Sequence, residues 1–356
     1  MAAAPPSSAE PAGSAALVTP APSPIASSFP VLTNVRLARA GPHVVILANG
    51  KAFLESGAPL NIMGQSSPSA PTREAITSSS GADLVYVAIR DSHSLVAFAS
   101  ADGGTSWLAA GQQEITGIEA IGDVHVARVG DRFAVLVVEA TSTAMSSGIV
   151  ATAVGAGRTW AVVPAPVGGD ISSAGGRFWI TGGVMGDQVF TSTDGIDWRS
   201  VKIPASDTYW TASTATDVDG LGVVIPVTSH DPAGPSNVTF FATSDFGKTW
   251  RSLASVTAPL TEFNTTIPTS ITQDGRWVAI WPDGSKVLVG SLRAKDDEII
   301  SPNGLPANVR ETIFSSGTTG VAASSVATCP DGKPSCASTT VVTRTDDGGQ
   351  NWAPLP

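Results

Sequence analysis

TSDFGKTW, residues 243–250, is a short polar turn that ends in a tryptophan, and the chain repeats it. Four further copies follow the same order, two complete, one shortened and one without the aspartate: SADGGTSW (100–107), TDDGGQNW (345–352), STDGIDW (192–198) and AVGAGRTW (153–160). In the last of these, Gly155 stands where the others have Asp. Self-similarity at such intervals predicts an architecture with one supersecondary unit per repeat.

The closing tryptophans set the period. They are separated by 53, 38, 52 and 102 residues, the last interval being about two periods: Trp107, Trp160, Trp198, Trp250 and Trp352. One copy has therefore decayed before the last tryptophan, around VLVGSLRAKDD (287–297).

Each unit has the same internal order. Residues 124–165 contain VHVARV, FAVLVVEA, GIVATAVG and WAVVP, four apolar runs separated by turn residues, and no long stretch of the chain has helical periodicity. Four-stranded repeats of ~40–50 residues are typical of β-propellers. We predict an all-β fold, a β-propeller of seven four-stranded blades that start near residues 30, 72, 118, 168, 208, 262 and 308. Six blades are the alternative if the first unit is irregular.

The repeated phrase resembles the Asp-box, S/T-x-D-x-G-x-T-W, also called the BNR repeat. The chain is thus similar to the Asp-box propellers, which include sialidases, other glycosidases, sortilin-like receptors and a photosystem II assembly factor. In that superfamily the boxes lie at the rim, away from the active site. The aspartate can accept hydrogen bonds within its turn, and the tryptophan can pack between neighbouring sheets. The resemblance therefore implies structural roles for Asp102, Asp194, Asp245, Asp347, Trp107, Trp160, Trp198, Trp250 and Trp352.

Composition excludes some partners. The 356 residues are 42% hydrophobic and 14% charged, with a net charge of −10 and a pI near 4.8. An acidic chain without a basic run does not suit the phosphate backbone of a nucleic acid. No apolar stretch approaches the ~18 residues of a transmembrane segment.

The N-terminal residues indicate export. Residues 1–29 are rich in Pro, Ala and Ser, which predicts a disordered tether, followed by a single propeller at 30–356. They lack the pattern of a signal peptide, so we expect the targeting signal to be absent from this sequence. Cys329 and Cys336 bracket a turn-rich segment and suit a disulfide in an oxidising compartment. We expect a secreted or envelope-associated monomer, with residues 1–29 as a candidate membrane tether and an envelope protein, an extracellular protein or a glycan as partner.

Three arginines are candidates for ligand binding. The resemblance implies that ligands bind near the central axis, on the face opposite the boxes. Arg73 and Arg310 occupy matching places in TREAIT and VRETIF, each followed by a glutamate (Glu74 and Glu311), and Arg36 lies in a comparable place. With seven blades, the three arginines come from neighbouring units and would meet at one side of the channel. The alternative is that these arginines and glutamates form ion pairs that line a solvated channel.

A sialidase needs a tyrosine nucleophile activated by Glu and an Asp acid in addition to an arginine triad. Tyr209, beside Trp210, begins a blade and would face the axis, whereas Tyr86 lies within a strand and is expected to pack. The Phe-Arg-Ile-Pro motif of sialidases is absent. Another glycosidase would need two facing carboxylates, for which the candidates by location are Glu119, Asp207, Glu262 and Glu311.

Two classes of function remain. We predict a non-catalytic binding or scaffold propeller, because the catalytic set is incomplete. The alternative is a glycoside hydrolase, sialidase-like or otherwise, with its site at the central channel. No motif indicates a cofactor or a metal, and we expect the four histidines to be surface residues.

Overall fold

The structure is a computed structural model, and it describes thirteen ranges of the chain: 35–62, 73–78, 82–91, 93–140, 147–155, 159–205, 209–217, 222–230, 235–258, 267–272, 275–291, 297–328 and 337–355. The predicted tether at 1–29 and the cysteines Cys329 and Cys336 lie outside these residues.

Seven antiparallel sheets, here called blades 1 to 7 in chain order, make up the described residues, which contain no helix. Blade 1 comprises β1 (Arg36–Ala40), β2 (His43–Ala48), β3 (Lys51–Leu54) and β4 (Pro59–Leu60), and blade 2 comprises β5 (Arg73–Ser78), β6 (Leu84–Arg90), β7 (Ser94–Ser100) and β8 (Leu108–Glu114). Blade 3 comprises β9 (Ile121–Val129), β10 (Arg132–Glu139), β11 (Gly148–Val154) and β12 (Trp160–Pro164). Blade 4 comprises β13 (Gly169–Ala174), β14 (Arg177–Gly182), β15 (Gln188–Ser192) and β16 (Arg199–Ser200).

Blade 5 has a split inner strand. It comprises β17 (Trp210–Ala212), β18 (Thr216–Asp217), β19 (Val223–Ser229), β20 (Ser236–Thr243) and β21 (Arg251–Ala258), with β17 and β18 both paired to β19. Blades 6 and 7 comprise β22 (Thr269–Ile271), β23 (Arg276–Ile280), β24 (Val287–Ser291) and β25 (Glu298–Ile300), then β26 (Val309–Phe314), β27 (Gly320–Thr328), β28 (Ala337–Thr345) and β29 (Ala353–Pro354).

The blades close into a ring. The inner strand of each blade lies beside that of the next, and β1 also contacts β26 of blade 7. Blades 1 and 7 are each built from consecutive strands, so the described residues close the ring without exchanging a strand. The predicted seven-bladed propeller is confirmed, and six blades are excluded.

Burial explains the sequence pattern of the strands. The second strand of a blade is covered on both faces by neighbouring blades, and LVYVAIR of β6 is accordingly buried from Leu84 to Ile89. The outermost strand is open to solvent, and β8 has mostly exposed or half-buried residues. A strand covered on both faces is mostly apolar, as β2 (HVVILA) and β6 (LVYVAIR) are.

The strand directions define two faces of the ring. The repeated turns join the third and fourth strands, as between β7 and β8, and the antiparallel order places them on the same face as the turns between first and second strands. We call this the turn face. The inner strands begin on the opposite face, which we call the entry face, together with the loops between second and third strands.

The repeated turns are held by their own side chains. In blade 2, Ser100 Oγ donates to Asp102 Oδ1 at 2.8 Å, and Asp102 accepts from the backbone N–H and the hydroxyl of Ser106 at 2.8 and 2.6 Å. Hydrogen bonds from Ser106 lower the pKa of Asp102 to about 2. The same arrangement recurs around Asp245 and Asp347.

The tryptophans that close these turns join the blades. Each belongs to, or packs against, an apolar cluster that its blade shares with the preceding blade. Trp107, for example, is 3% exposed and packs with Val45 and Leu47 of blade 1. The turn and its tryptophan therefore hold neighbouring blades together.

Candidate functional site

The entry face carries a charged cluster at the mouth of the central channel. Arg36, the first residue of β1, donates from Nη2 to both carboxylate oxygens of Asp123 at 2.8 Å. Its Nη1 donates to Glu311 at 3.0 Å, and the backbone N–H of Leu37 donates to the other oxygen of Glu311 at 2.7 Å. Because Asp123 belongs to blade 3 and Glu311 to blade 7, Arg36 links two blades that are not adjacent.

His125 extends the cluster toward blades 4 and 5. Its Nε2 lies 3.3 Å from Asp123 and its Nδ1 lies 3.0 Å from Asp170, and Thr214 donates to the remaining oxygen of Asp170 at 2.6 Å. A histidine with a carboxylate on each ring nitrogen is best satisfied as a cation, which donates from both nitrogens. We call these six residues the channel network: Glu311, Arg36, Asp123, His125, Asp170 and Thr214.

Electrostatics favour the charged forms of His125, Asp123 and Asp170 but not that of Glu311. Burial lowers the pKa of His125, but Asp170 and Asp123 outweigh it and raise the pKa to about 9. Burial opposes the ionisation of Asp123, yet His125 and Arg36 bring its pKa well below the usual range. Burial raises the pKa of Glu311 against the opposing effect of Arg36. The side chains of Asp123 and Asp170 remain 45% and 42% exposed, so solvent reaches the network.

The three candidate arginines do not form one clamp. Arg36 is paired with two carboxylates, and Arg73 donates through Nε to the backbone oxygen of Gly122 at 2.6 Å. Arg310 is exposed and forms no ion pair with the described residues. The ion pairs in the channel join Arg36 to carboxylates of other blades. They do not join an arginine to the glutamate that follows it in the sequence.

The other candidates are dispersed. Glu74 accepts from the N–H of Gly50 at 2.7 Å and from the hydroxyl of Tyr86 at 3.2 Å, so it lies between blades 1 and 2, and burial raises its pKa. Tyr209 is 59% exposed at the start of blade 5. Trp210 is half-buried against the apolar cluster of blades 4 and 5.

The expectation of surface histidines was wrong for two of the four. His125 is only 18% exposed at its side chain, and His230 is buried, with Thr211 Oγ1 3.2 Å from its Nε2 and Ser236 Oγ 3.4 Å from its Nδ1. Each also has a partner on another strand, Asp170 for His125 and Thr211 for His230, and such contacts cannot be read from the sequence. The described residues contain no group of three or more potential ligands arranged for a metal ion.

Sequence reasoning also missed Asp123, Asp170 and Thr214. A signal for the aspartates was present, because Gly122–Asp123 and Gly169–Asp170 place a carboxylate in the first residues of an inner strand, the position that Arg36 also occupies. Of the carboxylates proposed as a glycosidase pair, Glu311 alone is in the network. Glu119 is exposed, and Asp207 and Glu262 lie outside the described residues.

Every carboxylate oxygen of the network has a partner within the protein. All six oxygens of Glu311, Asp123 and Asp170 are within hydrogen-bond or ion-pair distance of a guanidinium, an imidazole, a hydroxyl or a backbone N–H. These contacts join the inner strands of blades 7, 1, 3, 4 and 5, so the network holds inner strands together across the ring.

Comparisons with known proteins bear on the fold. No family model matches the chain, and no curated protein matches it in sequence. Among solved structures, the WD40 repeats of RRP9 are similar at 14% identity and a TM-score of 0.51, covering 82% of this chain and 86% of that chain. YCF48 bound to D1 peptide (14% identity, 81% and 83%, TM-score 0.44) and the GH93 α-L-arabinofuranosidase of Fusarium graminearum (12%, 76% and 92%, TM-score 0.45) are also similar. At these identities the similarity shows a propeller fold alone.

No helix among the described residues is long and apolar enough to cross a membrane.

Proposed function

We propose that the chain is an Asp-box propeller that binds a protein or glycan partner at its entry face without catalysis. One observation carries the proposal: every carboxylate oxygen in the channel network is already engaged by the protein. Membership of the Asp-box propellers is supported by the turn geometry around Asp102, Asp245 and Asp347.

The geometry disfavours a sialidase. A clamp for a substrate carboxylate needs guanidinium groups whose charge is not already neutralised. Arg36 already lies between Asp123 and Glu311. Tyr209 is exposed and is not among the residues of the network, which lacks a tyrosine nucleophile.

The rim of the entry face provides binding groups. Arg73, Arg310 and Tyr209 are exposed at or beside the first residues of inner strands. Arginine and tyrosine are enriched at protein interfaces because each combines a large contact area with hydrogen-bonding groups. These residues are the proposed contacts with the partner.

A glycoside hydrolase remains the second candidate because one observation favours it. The network gathers three carboxylates at one mouth of the channel, and burial raises the pKa of Glu311, as is needed in a general acid. For catalysis, a substrate would have to displace Arg36 or His125 from these carboxylates.

The compartment and the assembly state are also part of the proposal. The Pro/Ala/Ser-rich residues 1–29 and the pair Cys329 and Cys336 support an extracytoplasmic, tethered location. We propose a monomer that presents its entry face to an envelope protein, an extracellular protein or a glycan.

Thermal unfolding against a panel of glycans tests the proposal. The panel includes a sialic-acid transition-state analogue and neutral oligosaccharides. A ligand at 100 times its Kd should stabilise the fold by about 2.7 kcal/mol. The variants Arg73→Ala, Arg310→Ala and Tyr209→Ala should remove the shift. Arg199→Ala is the matched control, because Arg199 is exposed at the start of β16 on the turn face.

The outcomes separate the candidates. A shift that depends on the entry-face residues, without turnover of the sugar, supports a glycan-binding propeller. Turnover that is lost in Glu311→Gln supports the hydrolase instead. If a ligand shift is unaffected by all three variants, the entry-face site is wrong.

A further inference from the structure

The repeated turn of blade 5 has an aromatic residue where two other copies have glycine. In TSDFGKTW the residue after the aspartate is Phe246, whereas Gly103 and Gly348 stand there in blades 2 and 7. All three have a positive φ, 61° for Phe246 and 72° and 76° for the glycines. A bulky side chain is rare in this conformation, which glycine adopts without cost. Because such residues are concentrated at functional sites, Phe246 is a candidate for binding.

Burial in a core does not explain this aromatic ring. Phe246 is 39% exposed on the turn face, and it belongs to none of the apolar clusters that the described residues form. The guanidinium carbon of Arg177 lies 4.1 Å from the ring centroid, and a Cβ on Gly175 would lie 3.5 Å from Cε1 of the ring. The ring therefore supports a guanidinium and remains partly open to solvent.

The guanidinium of Arg177 is oriented but keeps its charge. Arg177 forms no ion pair with the described residues. Attraction to an aromatic ring orients a guanidinium and leaves its N–H donors available. A planar guanidinium held in this way can donate two parallel hydrogen bonds to one carboxylate. A carboxylate is therefore the group that best complements Arg177.

Two carboxylates of blade 5 lie beside this pair, and both have other partners. Asp245 accepts from the backbone N–H and the hydroxyl of Thr249 at 2.8 and 2.6 Å. Asp217 accepts from the backbone N–H of Gly175 at 3.1 Å. Neither forms an ion pair with an arginine or a lysine of the described residues. The place of a carboxylate at Arg177 is thus left to another molecule.

Two further cations lie at the same boundary of blades 4 and 5. Lys248 is exposed in the same turn as Phe246. Arg199 is exposed at the start of β16 and shares a strand face with Val201, which continues the pairing with β15. Val201 faces this turn, because a Cβ on Gly247 would collide with it. Neither cation forms an ion pair with the described residues. We call four residues the Phe246 surface: Arg177, Phe246, Lys248 and Arg199.

Charge complementarity specifies the occupant of this surface. Three cations without a carboxylate partner are gathered on a chain whose net charge is −10. Salt screens exposed charges that are more than about 8–10 Å apart, so the local cations and not the net charge set the attraction. An acidic polypeptide carries carboxylates and apolar groups in adjacent side chains, which matches the cations and the ring. A sugar that stacks would need an open ring face, whereas Arg177 and Gly175 lie against the ring.

We propose that the Phe246 surface binds an acidic segment of a partner protein. One carboxylate of the segment accepts two hydrogen bonds from Arg177, and further carboxylates pair with Lys248 and Arg199. An apolar side chain of the segment contacts the exposed part of Phe246. The surface lies on the turn face, so this site is independent of the entry face.

Labelled peptides test the proposal. The probes are fluorescein-labelled peptides in which Glu residues flank a Leu, and the matched control peptides have Gln in place of Glu. Fluorescence anisotropy gives the Kd of each peptide for the full chain. We expect the Glu peptides to bind at least about tenfold more tightly than the Gln peptides. Their Kd should rise with the salt concentration, because the paired charges are screened.

Variants of the chain locate the site. Arg177→Met retains an apolar contact with the ring and should weaken binding of the Glu peptides by at least about tenfold. Lys248→Gln should weaken it by only about twofold to fivefold, because Lys248 is exposed. Phe246→Gly should weaken it by about fivefold to tenfold with little change in melting temperature, a combination that a purely structural role would not give. Arg344→Met is the matched control and should leave the Kd unchanged, because Arg344 is already paired with Asp346 at 2.7 Å.

Four results would overturn the proposal. The first is that Glu peptides bind no more tightly than Gln peptides, and the second is that Arg177→Met and Phe246→Gly bind them as tightly as the wild type. The third is binding of polygalacturonate but not of the peptides, which would assign the surface to an acidic polysaccharide. The fourth is self-association in sedimentation that Arg177→Met abolishes, without peptide binding, which would assign the surface to a second copy of the chain.

Discussion

Replacing His125 by glutamine should remove most of the pH dependence of stability between neutral and mildly alkaline pH. His125 lies between Asp123 and Asp170, and although burial opposes its charge, the two carboxylates raise its pKa to about 9. A histidine whose pKa rises on folding stabilises the fold while it is protonated. That contribution is complete below the unfolded pKa of about 6.5 and is lost as the pH rises through the folded pKa.

The pKa shift sets the size of the effect. At about 1.36 kcal/mol per pKa unit, a rise from 6.5 to about 9 corresponds to roughly 3 kcal/mol. The side chains of Asp123 and Asp170 are 45% and 42% exposed, so solvent screens part of the attraction. We therefore expect about 2 kcal/mol.

Urea unfolding across this pH range measures the effect. The wild type should lose about 2 kcal/mol of unfolding free energy between about pH 6 and pH 10. The unfolding free energy of His125→Gln should be lower than that of the wild type by the same amount near pH 6, and the two values should converge near pH 10. His93→Gln, at an exposed histidine, should follow the wild type throughout. Parallel curves for the wild type and His125→Gln would refute the reasoning.

Three other substitutions test the packing and the network. Arg36→Met should destabilise the fold by about 2–4 kcal/mol in urea unfolding, because two carboxylates lose their partner, and adding Glu311→Gln should restore part of the loss. Trp198→Phe should cost about 1 kcal/mol through a lost hydrogen bond, whereas Trp160→Phe should cost less in the same assay, because its indole N–H has no partner among the described residues. Phe246→Gly should change the melting temperature little, since relief of a φ of 61° offsets the loss of the Arg177 contact.

The repeat made the fold predictable from the sequence. Each copy of the phrase marks the turn between third and fourth strands, and the apolar runs between the copies predicted four strands per unit and the approximate starts of the blades. Blade 1 has no copy of the repeated phrase, but its apolar runs were enough to predict its strands. The proposed decayed copy at 287–297 overlaps β24 and ends just before β25, which are the third and fourth strands of blade 6.

The hydrogen bonds within each repeated turn could also be predicted from the sequence. Ser100, Asp102 and Ser106 lie within seven residues of one another, so their hydrogen bonds depend on a single turn. Gly247 of the same repeated turn has a φ of 85°, a conformation that favours glycine. A Cβ there would also collide with Val201 of the preceding blade, and this second reason needs the tertiary structure.

The channel network could not be predicted, because it depends on distances across the ring. Arg36 was predicted as a ligand-binding residue, with ion pairing in the channel as the alternative, and it forms ion pairs with Asp123 and Glu311. Its partner Asp123 is two blades away, and no sequence spacing relates the two. His125 lies in an apolar strand, where a histidine gives no sign of whether it meets a carboxylate or solvent.

A hydrolysis assay tests the central claim most directly, that the entry face binds without catalysis. The protein would be incubated with chromogenic α- and β-glycosides, including a sialoside, and compared with Glu311→Gln and Asp123→Asn. The account predicts that the wild type releases no more chromophore than either variant, because every oxygen of these carboxylates is engaged. Release by the wild type that falls at least about a hundredfold in Glu311→Gln would contradict it, since a general acid contributes on that scale.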